Sequence, residues 1–185
     1  INEWPRMQGQ LFAAQTVGII GLGHIGKRVA RLSQAFDARV IAHDPHIDPT
    51  SHGVESVSLG ELFAKANVIS LHVPYTTDTH HLLDAKSFAR MKPGSIIINA
   101  ARGGLIDEAA LDEALISGHL GMAALDVFEQ EPYHGPLTKN DRMILTSHIG
   151  SLAKESRKCM ELEAAGNLLK GLINAGLIKD DQTNV

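Results

Sequence analysis

Arg102, Glu131 and His148 are side chains of the types needed to hold an anion and move a proton at one carbon. Histidine titrates near neutral pH, so it can take a hydroxyl proton in one direction and return it in the other. A carboxylate on the second ring nitrogen orients an imidazole and favours its protonated form. Arginine offers two parallel N–H groups to a carboxylate and polarises a neighbouring carbonyl. The trio suits hydride transfer at a 2-hydroxy or 2-oxo acid, where the hydroxyl proton leaves as hydride moves to a nicotinamide. Taken singly, none of them decides. An arginine is commonly a surface cation, Glu131 shares a polar run with Glu129 and Gln130, and His148 is one of ten histidines.

A second constellation supplies the carrier for that hydride. Gly21-Leu22-Gly23-His24-Ile25-Gly26 is G-x-G-x-x-G between an apolar run and an amphipathic stretch. The first glycine makes a tight turn, the second lets backbone approach a pyrophosphate, and the third lets helix and strand pack closely. The helix N-terminus adds unpaired N–H groups and the positive end of a dipole. Asp44 follows eighteen residues after Gly26. A carboxylate there accepts from ribose hydroxyls and repels a 2′-phosphate. No Arg or Lys follows it in 44–49, so the expected cofactor is NAD.

These residues must stand at the ends of strands. Apolar runs predict strands over 16–20, 39–42, 68–72, 95–99, 122–125 and 143–146, with a weak one over 53–57. Helices are expected over 25–36, 59–66, 108–117 with Asp107 as N-cap and Gly118 as stop, and 152–175. Strands alternating with helices imply βαβ units, hence an α/β, doubly wound parallel sheet of the Rossmann kind with helices on both faces. In such sheets ligands bind beyond the carboxyl ends of the strands. Asn99 to Gly103, Asp126 to Pro132 and Ser147 to Gly150 all follow predicted strands. Phe63 and Phe88 read as core residues, His80 and His81 as exposed or packing residues.

Composition sets the outer bounds. The chain has 185 residues, 44% hydrophobic and 21% charged, an ordinary globular balance. A chain of this size hides roughly 70% of its unfolded surface. A net charge of −4 gives no reason to expect nucleic acid or an anionic membrane as partner. No apolar run approaches a membrane span, and no secretory signal is evident in residues 1–10. The single Cys159 excludes an internal disulfide, fits a reducing, cytoplasmic setting, and reads as a structural cysteine. No metal is expected.

The motifs 17–26, His72-Val73-Pro74, Met91-Lys92-Pro93-Gly94, 99–103, 125–132 and 147–150 together resemble those of the D-isomer-specific 2-hydroxyacid dehydrogenases, which include phosphoglycerate, glycerate, D-lactate and formate dehydrogenases. The resemblance runs from about Gln15 to Gly150. It implies that Arg102 binds substrate, Glu131 pairs with the histidine, and His148 is the acid/base. It implies that Asp126 binds the nicotinamide carboxamide, and that His72, Val73, Pro74 and Thr79 line the cofactor groove. Pro45 beside Asp44, Ala100 and Ala101 before Arg102, and Gly150 after His148 complete the candidate cofactor contacts. Only the family spacing selects Glu131 over Glu129. Glu131 also speaks against formate oxidation, because formate dehydrogenases have an uncharged residue there.

Members of that family are longer. Their substrate lobe is built mostly from a segment before the first Rossmann strand, with a C-terminal return. This chain starts about fifteen residues before that strand, and 181–185 resembles the start of the return. The expectation is one dinucleotide-binding domain over 1–185, excised from a homodimeric oxidoreductase that takes a small 2-hydroxy or 2-oxo acid. Two other classes stand beside it. One is a non-enzymatic, NAD-sensing or dimerising module of corepressor type. The other is a different Rossmann enzyme, such as a nucleoside hydrolase that keeps its NAD bound, in which the Arg–Glu–His trio would be lacking.

Overall fold

A computed structural model describes residues 9–178. Contacts divide the chain into two units, Ile1–Ser147 and His148–Val185. The first holds the whole sheet. Its strands are β1 (Thr16–Ile20), β2 (Arg39–His43), β3 (Glu55–Ser56), β4 (Val68–Leu71), β5 (Ser95–Asn99), β6 (Leu120–Leu125) and β7 (Met143–Leu145). Its helices are α1 (His24–Ala35), α2 (Leu59–Lys65), α3 (Ala85–Ala89) and α4 (Glu108–Ile116). The second unit carries α5 (Lys154–Asn174). The C-terminal return expected at 181–185 lies outside the described residues.

The seven strands are parallel, in the order β3-β2-β1-β4-β5-β6-β7. The chain therefore reverses its direction of travel across the sheet between β1 and β4. Their carboxyl ends diverge there and open the crevice that doubly wound sheets use for ligands. The right-handed crossovers such strands require put the helices on the faces. Alternation along β1 shows this directly. Val17 and Ile19 pack with Ala30 of α1 and with β2, whereas Ile20 belongs to the cluster that contains Leu62, Phe63 and Ala66 at α2. Successive side chains point to opposite faces, so α1 and α2 lie on opposite sides of β1.

Local chemistry explains the boundaries. Ser58 and Glu61 form a reciprocal capping box at the start of α2. Asp107 caps α4 by accepting from Ala109 and Ala110 N–H, both at 3.1 Å. α3 escapes a periodicity reading because it has five residues, and Asp84 with Ser87 caps it locally. The weak third strand shrinks to two residues at the sheet edge.

Phe63 and Phe88 are buried core residues, as their sequence context suggests. β1, β2 and β4 carry near-continuous buried runs, while β5 buries Ser95, Ile97 and Asn99 and β6 buries Leu120, Ala123 and Leu125. One expectation needs correcting. Cys159 lies on α5 and is exposed, so packing does not explain it. No helix among the described residues is long and apolar enough to cross a membrane.

Candidate active site at the carboxyl ends of the strands

The glycine turn joins β1 to α1. Gly21 has φ +90°, a conformation that side chains disfavour. A Cβ on Gly26 would stand 2.1 Å from the carbonyl oxygen of Gly21, so the helix packs directly on the turn. A Cβ on Gly23 would meet nothing within 4 Å. Gly23 is the N-cap of α1, and no side chain caps it. The first-turn N–H groups have no intrahelical acceptor, and open space lies at the middle glycine. That is the cradle a pyrophosphate needs. His24 and Ile25 are exposed on the same first turn.

Asp44 is bound into this turn. Its Oδ2 accepts from Leu22 N–H at 2.7 Å, and its Oδ1 from His46 and Ile47 N–H at 2.8 and 3.0 Å. Burial pushes its pKa upward, but the three N–H bonds outweigh that and hold the carboxyl below its ordinary value. Pro45 is exposed beside it. A group whose folded pKa is depressed stabilises the fold above its unfolded pKa and loses that contribution as pH falls through the folded one. We therefore expect the stability gap between wild type and Asp44→Asn to be constant near neutrality and to shrink as pH drops below 3.8, the ordinary value. Urea unfolding at a series of pH values measures it; a gap independent of pH would exclude the carboxylate as its source.

The segment after β4 forms one wall. His72 N–H donates to Ile20 C=O at 2.7 Å, tying it to β1. Its Nε2 lies 3.0 Å from Ser70 Oγ, and burial lowers its pKa, favouring the neutral ring. Val73 is half-buried and Pro74 exposed. The Thr79 hydroxyl donates to Pro74 C=O at 2.8 Å and accepts from Thr76 N–H at 2.7 Å. Thr79 thus closes the 74–79 loop with the hydroxyl expected to serve the groove.

β5 and β6 carry the chemically loaded loops. Asn99, buried at the end of β5, accepts Ala101 N–H on its Oδ1 at 3.0 Å and donates from Nδ2 to Arg102 C=O at 2.9 Å. Ala100 is exposed and Ala101 half-buried. Arg102 is exposed and extends one guanidinium N–H to Ala101 C=O at 2.6 Å. It lines a cleft of about 380 Å³ with Tyr75, His81, Gly104 and Glu129. The next residue, Gly103, packs on the other loop: a Cβ there would stand 1.9 Å from the Phe128 carbonyl carbon and 2.5 Å from Glu129 N.

In that second loop Asp126 is buried and accepts from Thr146 Oγ1 at 2.5 Å. Glu131 accepts Phe128 N–H at 3.1 Å. Glu129 turns elsewhere: its carboxylate pairs with His81 Nε2, and its N–H donates to Glu108 at 2.8 Å. Burial raises the Glu108 pKa, partly countered by that N–H. The two neighbouring acids, indistinguishable by type, thus have separate partners.

The sheet unit therefore brings together the glycine turn with Asp44, the His72–Thr79 wall, the Arg102 loop and the Asp126–Glu131 loop. His148 and Gly150 belong to the second unit. His148 has a left-handed backbone, φ 54°, which costs a non-glycine residue about 1–3 kcal/mol and recurs at functional positions. Among the described residues no group of three His, Cys, Asp or Glu could hold a metal ion. Residue types alone pass over Leu22, Thr146, Asn99 and the His81–Glu129 pair. Only Asn99 leaves a trace, as a polar residue closing the apolar run Ile96-Ile97-Ile98.

Residues 2–150 match the family model for the NAD-binding domain of D-isomer specific 2-hydroxyacid dehydrogenases. The D-3-phosphoglycerate dehydrogenase of Mycobacterium tuberculosis is 40% identical over 189 residues, covering 95% of this chain and 36% of that protein. A glyoxylate reductase structure from Paecilomyes thermophila is 40% identical, with a TM-score of 0.86, over 92% of this chain and 52% of that one. The D-lactate dehydrogenase of Lactobacillus jensenii, solved with NAD+, is 32% identical with a TM-score of 0.75, over 80% and 50%. This chain spans between about a third and about half of the length of these proteins.

Proposed function

We propose, from the premise that this chain belongs to the D-isomer specific 2-hydroxyacid dehydrogenase family through its NAD-binding domain, that it serves an oxidoreductase interconverting D-2-hydroxy acids and 2-oxo acids. The observation that supports this reading is the locked pair of loops at the ends of β5 and β6. Arg102 stands on one, Asp126 and Glu131 on the other, and Gly103 leaves no space between them.

When bound, NAD supplies the acceptor for the hydride that leaves C2 of the hydroxy acid, and its reduced form the donor in reverse. The fit of the cofactor rests on Gly23, open for a pyrophosphate, and on Asp44, whose carboxylate is held at the glycine turn. Its remaining contacts fall to Gly21, His24, Ile25, Gly26, Pro45, His72, Val73, Pro74, Ala100, Ala101, Gly150 and Asp126, the last toward the carboxamide. Thr79 acts on the groove by holding Pro74. Arg102 binds the substrate carboxylate and withdraws charge from the adjacent carbonyl. His148 takes the hydroxyl proton in oxidation and returns it in reduction, and Glu131 orients the imidazole. We read residues 1–185 as one cofactor domain of a cytosolic homodimer whose small-molecule partner is the acid; light scattering is the direct measurement of the dimer.

The protein at its natural full length, assayed with NADH and a panel of 2-oxo acids, tests the activity. Turnover of at least one acid with NADH is expected, with NADPH at least about tenfold poorer in kcat/KM, since Asp44 repels the 2′-phosphate. Asp44→Ala narrows that ratio. No turnover across the panel, or equal use of both cofactors, counts against the reading.

A further inference from the structure

We propose that Asn99 is a positioning residue for the substrate arginine, its side-chain amide setting the course of the loop from which Arg102 reaches. This deepens, and rests on, the reading in which Arg102 holds the substrate carboxylate. Asn99 is the last residue of β5 and is 1% exposed. Its backbone is fixed in the sheet: it stands between Leu71 of β4 and Leu125 of β6, and its C=O accepts Asp126 N–H at 2.9 Å. Its side chain then reaches out of the sheet and holds the loop at two points, Ala101 N–H and Arg102 C=O. The same amide thereby brackets the Ala101–Arg102 peptide, whose carbonyl receives the guanidinium itself.

The residue type follows from this geometry. The loop presents one donor and one acceptor to a single side chain, and the short carboxamide meets them with two separate atoms, Oδ1 and Nδ2. Aspartate would keep the acceptor and set a second oxygen against the Arg102 carbonyl oxygen. Serine is too short to meet both groups. Alanine would leave both loop groups without this partner. Because the amide is anchored at the buried end of β5, paired on both sides by β4 and β6, it transmits strand register to a loop that otherwise carries an exposed arginine. It touches neither substrate nor cofactor in this reading; it acts through Arg102.

A double-mutant cycle in the full-length protein separates positioning from bulk stability. Asn99→Asp is expected to lower kcat/KM for the 2-oxo acid by about 10- to 100-fold, the scale of a catalytic group misplaced by about 1 Å. The Kd of oxamate, a non-reducible analogue, should rise about tenfold by the same argument. Amide exchange at residues 100–103 should speed up while the interior of β5 stays protected. In an Arg102→Ala background the same substitution should change kcat/KM and oxamate affinity by less than about twofold, because the group it positions is gone. Asn99→Ser, which adds no charge, repeats the cycle if Asn99→Asp does not fold. Equal losses in both backgrounds, or unaltered oxamate binding in the Asn99 variants, would overturn the clamp while leaving the role of Arg102 intact. If Arg102→Ala is itself silent, the functional reading falls and the clamp with it.

Discussion

Gly103→Ala is expected to lower kcat/KM for the acid substrate by about a hundredfold or more. The argument is steric. The added Cβ would stand 1.9 Å from the carbonyl carbon of Phe128, 2.0 Å from its oxygen and 2.5 Å from the nitrogen of Glu129. All three are backbone atoms, so no flexible side chain can swing aside. The loops that follow β5 and β6 must separate, and they carry Arg102 on one side and Asp126 with Glu131 on the other. A displacement of order 1 Å between groups that act together can cost about 10²-fold. The overpacking should also cost about 1–3 kcal/mol of stability. Thermal unfolding and steady-state kinetics of the full-length protein measure the two effects separately. The glycine turn and Asp44 follow β1 and β2, outside these two loops, so NADH affinity should fall less than kcat/KM, the part lost being that of Ala100, Ala101 and Asp126. Retention of wild-type kcat/KM within about twofold would show that the loop contact does not set the catalytic geometry.

His148→Ala should reduce the rate by about 10²–10⁴ in both directions, the usual span for a lost acid/base group. A plain alanine confounds chemistry with conformation, since the backbone there is left-handed at φ 54°. His148→Asn is the better probe. Asparagine tolerates that region of backbone space, yet it cannot exchange a proton near neutral pH. The two variants should therefore lose similar factors in rate. NADH affinity should stay within a few-fold of wild type in His148→Asn. Glu131→Gln should lose less, and adding it to His148→Ala should cost little more, because the two act as one unit. Activity within about tenfold of wild type in His148→Asn would remove His148 from the proton-transfer role.

Much of this architecture is written in local patterns. β1 and β5 have the bounds their apolar runs predict, because an uninterrupted run ending at a turn needs no distant partner to be read. α4 begins where Asp107 can cap it, and the glycine fingerprint sits where β1 turns into α1. The expectation of NAD needs only the glycine fingerprint and one carboxylate eighteen residues downstream, where a negative charge is expected to repel a 2′-phosphate. The five-residue α3 and the two-residue β3 were harder, because so few residues establish no period.

The site was legible as residue types and only partly as relationships. Sequence determined that an arginine, two acids and a histidine follow strands of a parallel sheet. Tertiary structure decided what each holds. Asp44 finds Leu22 N–H across 22 residues, and Glu129 finds His81 across 48. Gly103 meets Phe128 only because β5 pairs with β6 in a fixed register, with Asn99 opposite Leu125. The same holds for Cys159, whose helical neighbourhood gave no sign of its exposure. Hydrophobic periodicity is a short-range property of the chain and survives without the fold. Hydrogen-bond partners and close contacts depend on strand order and register, which arise when the whole sheet assembles.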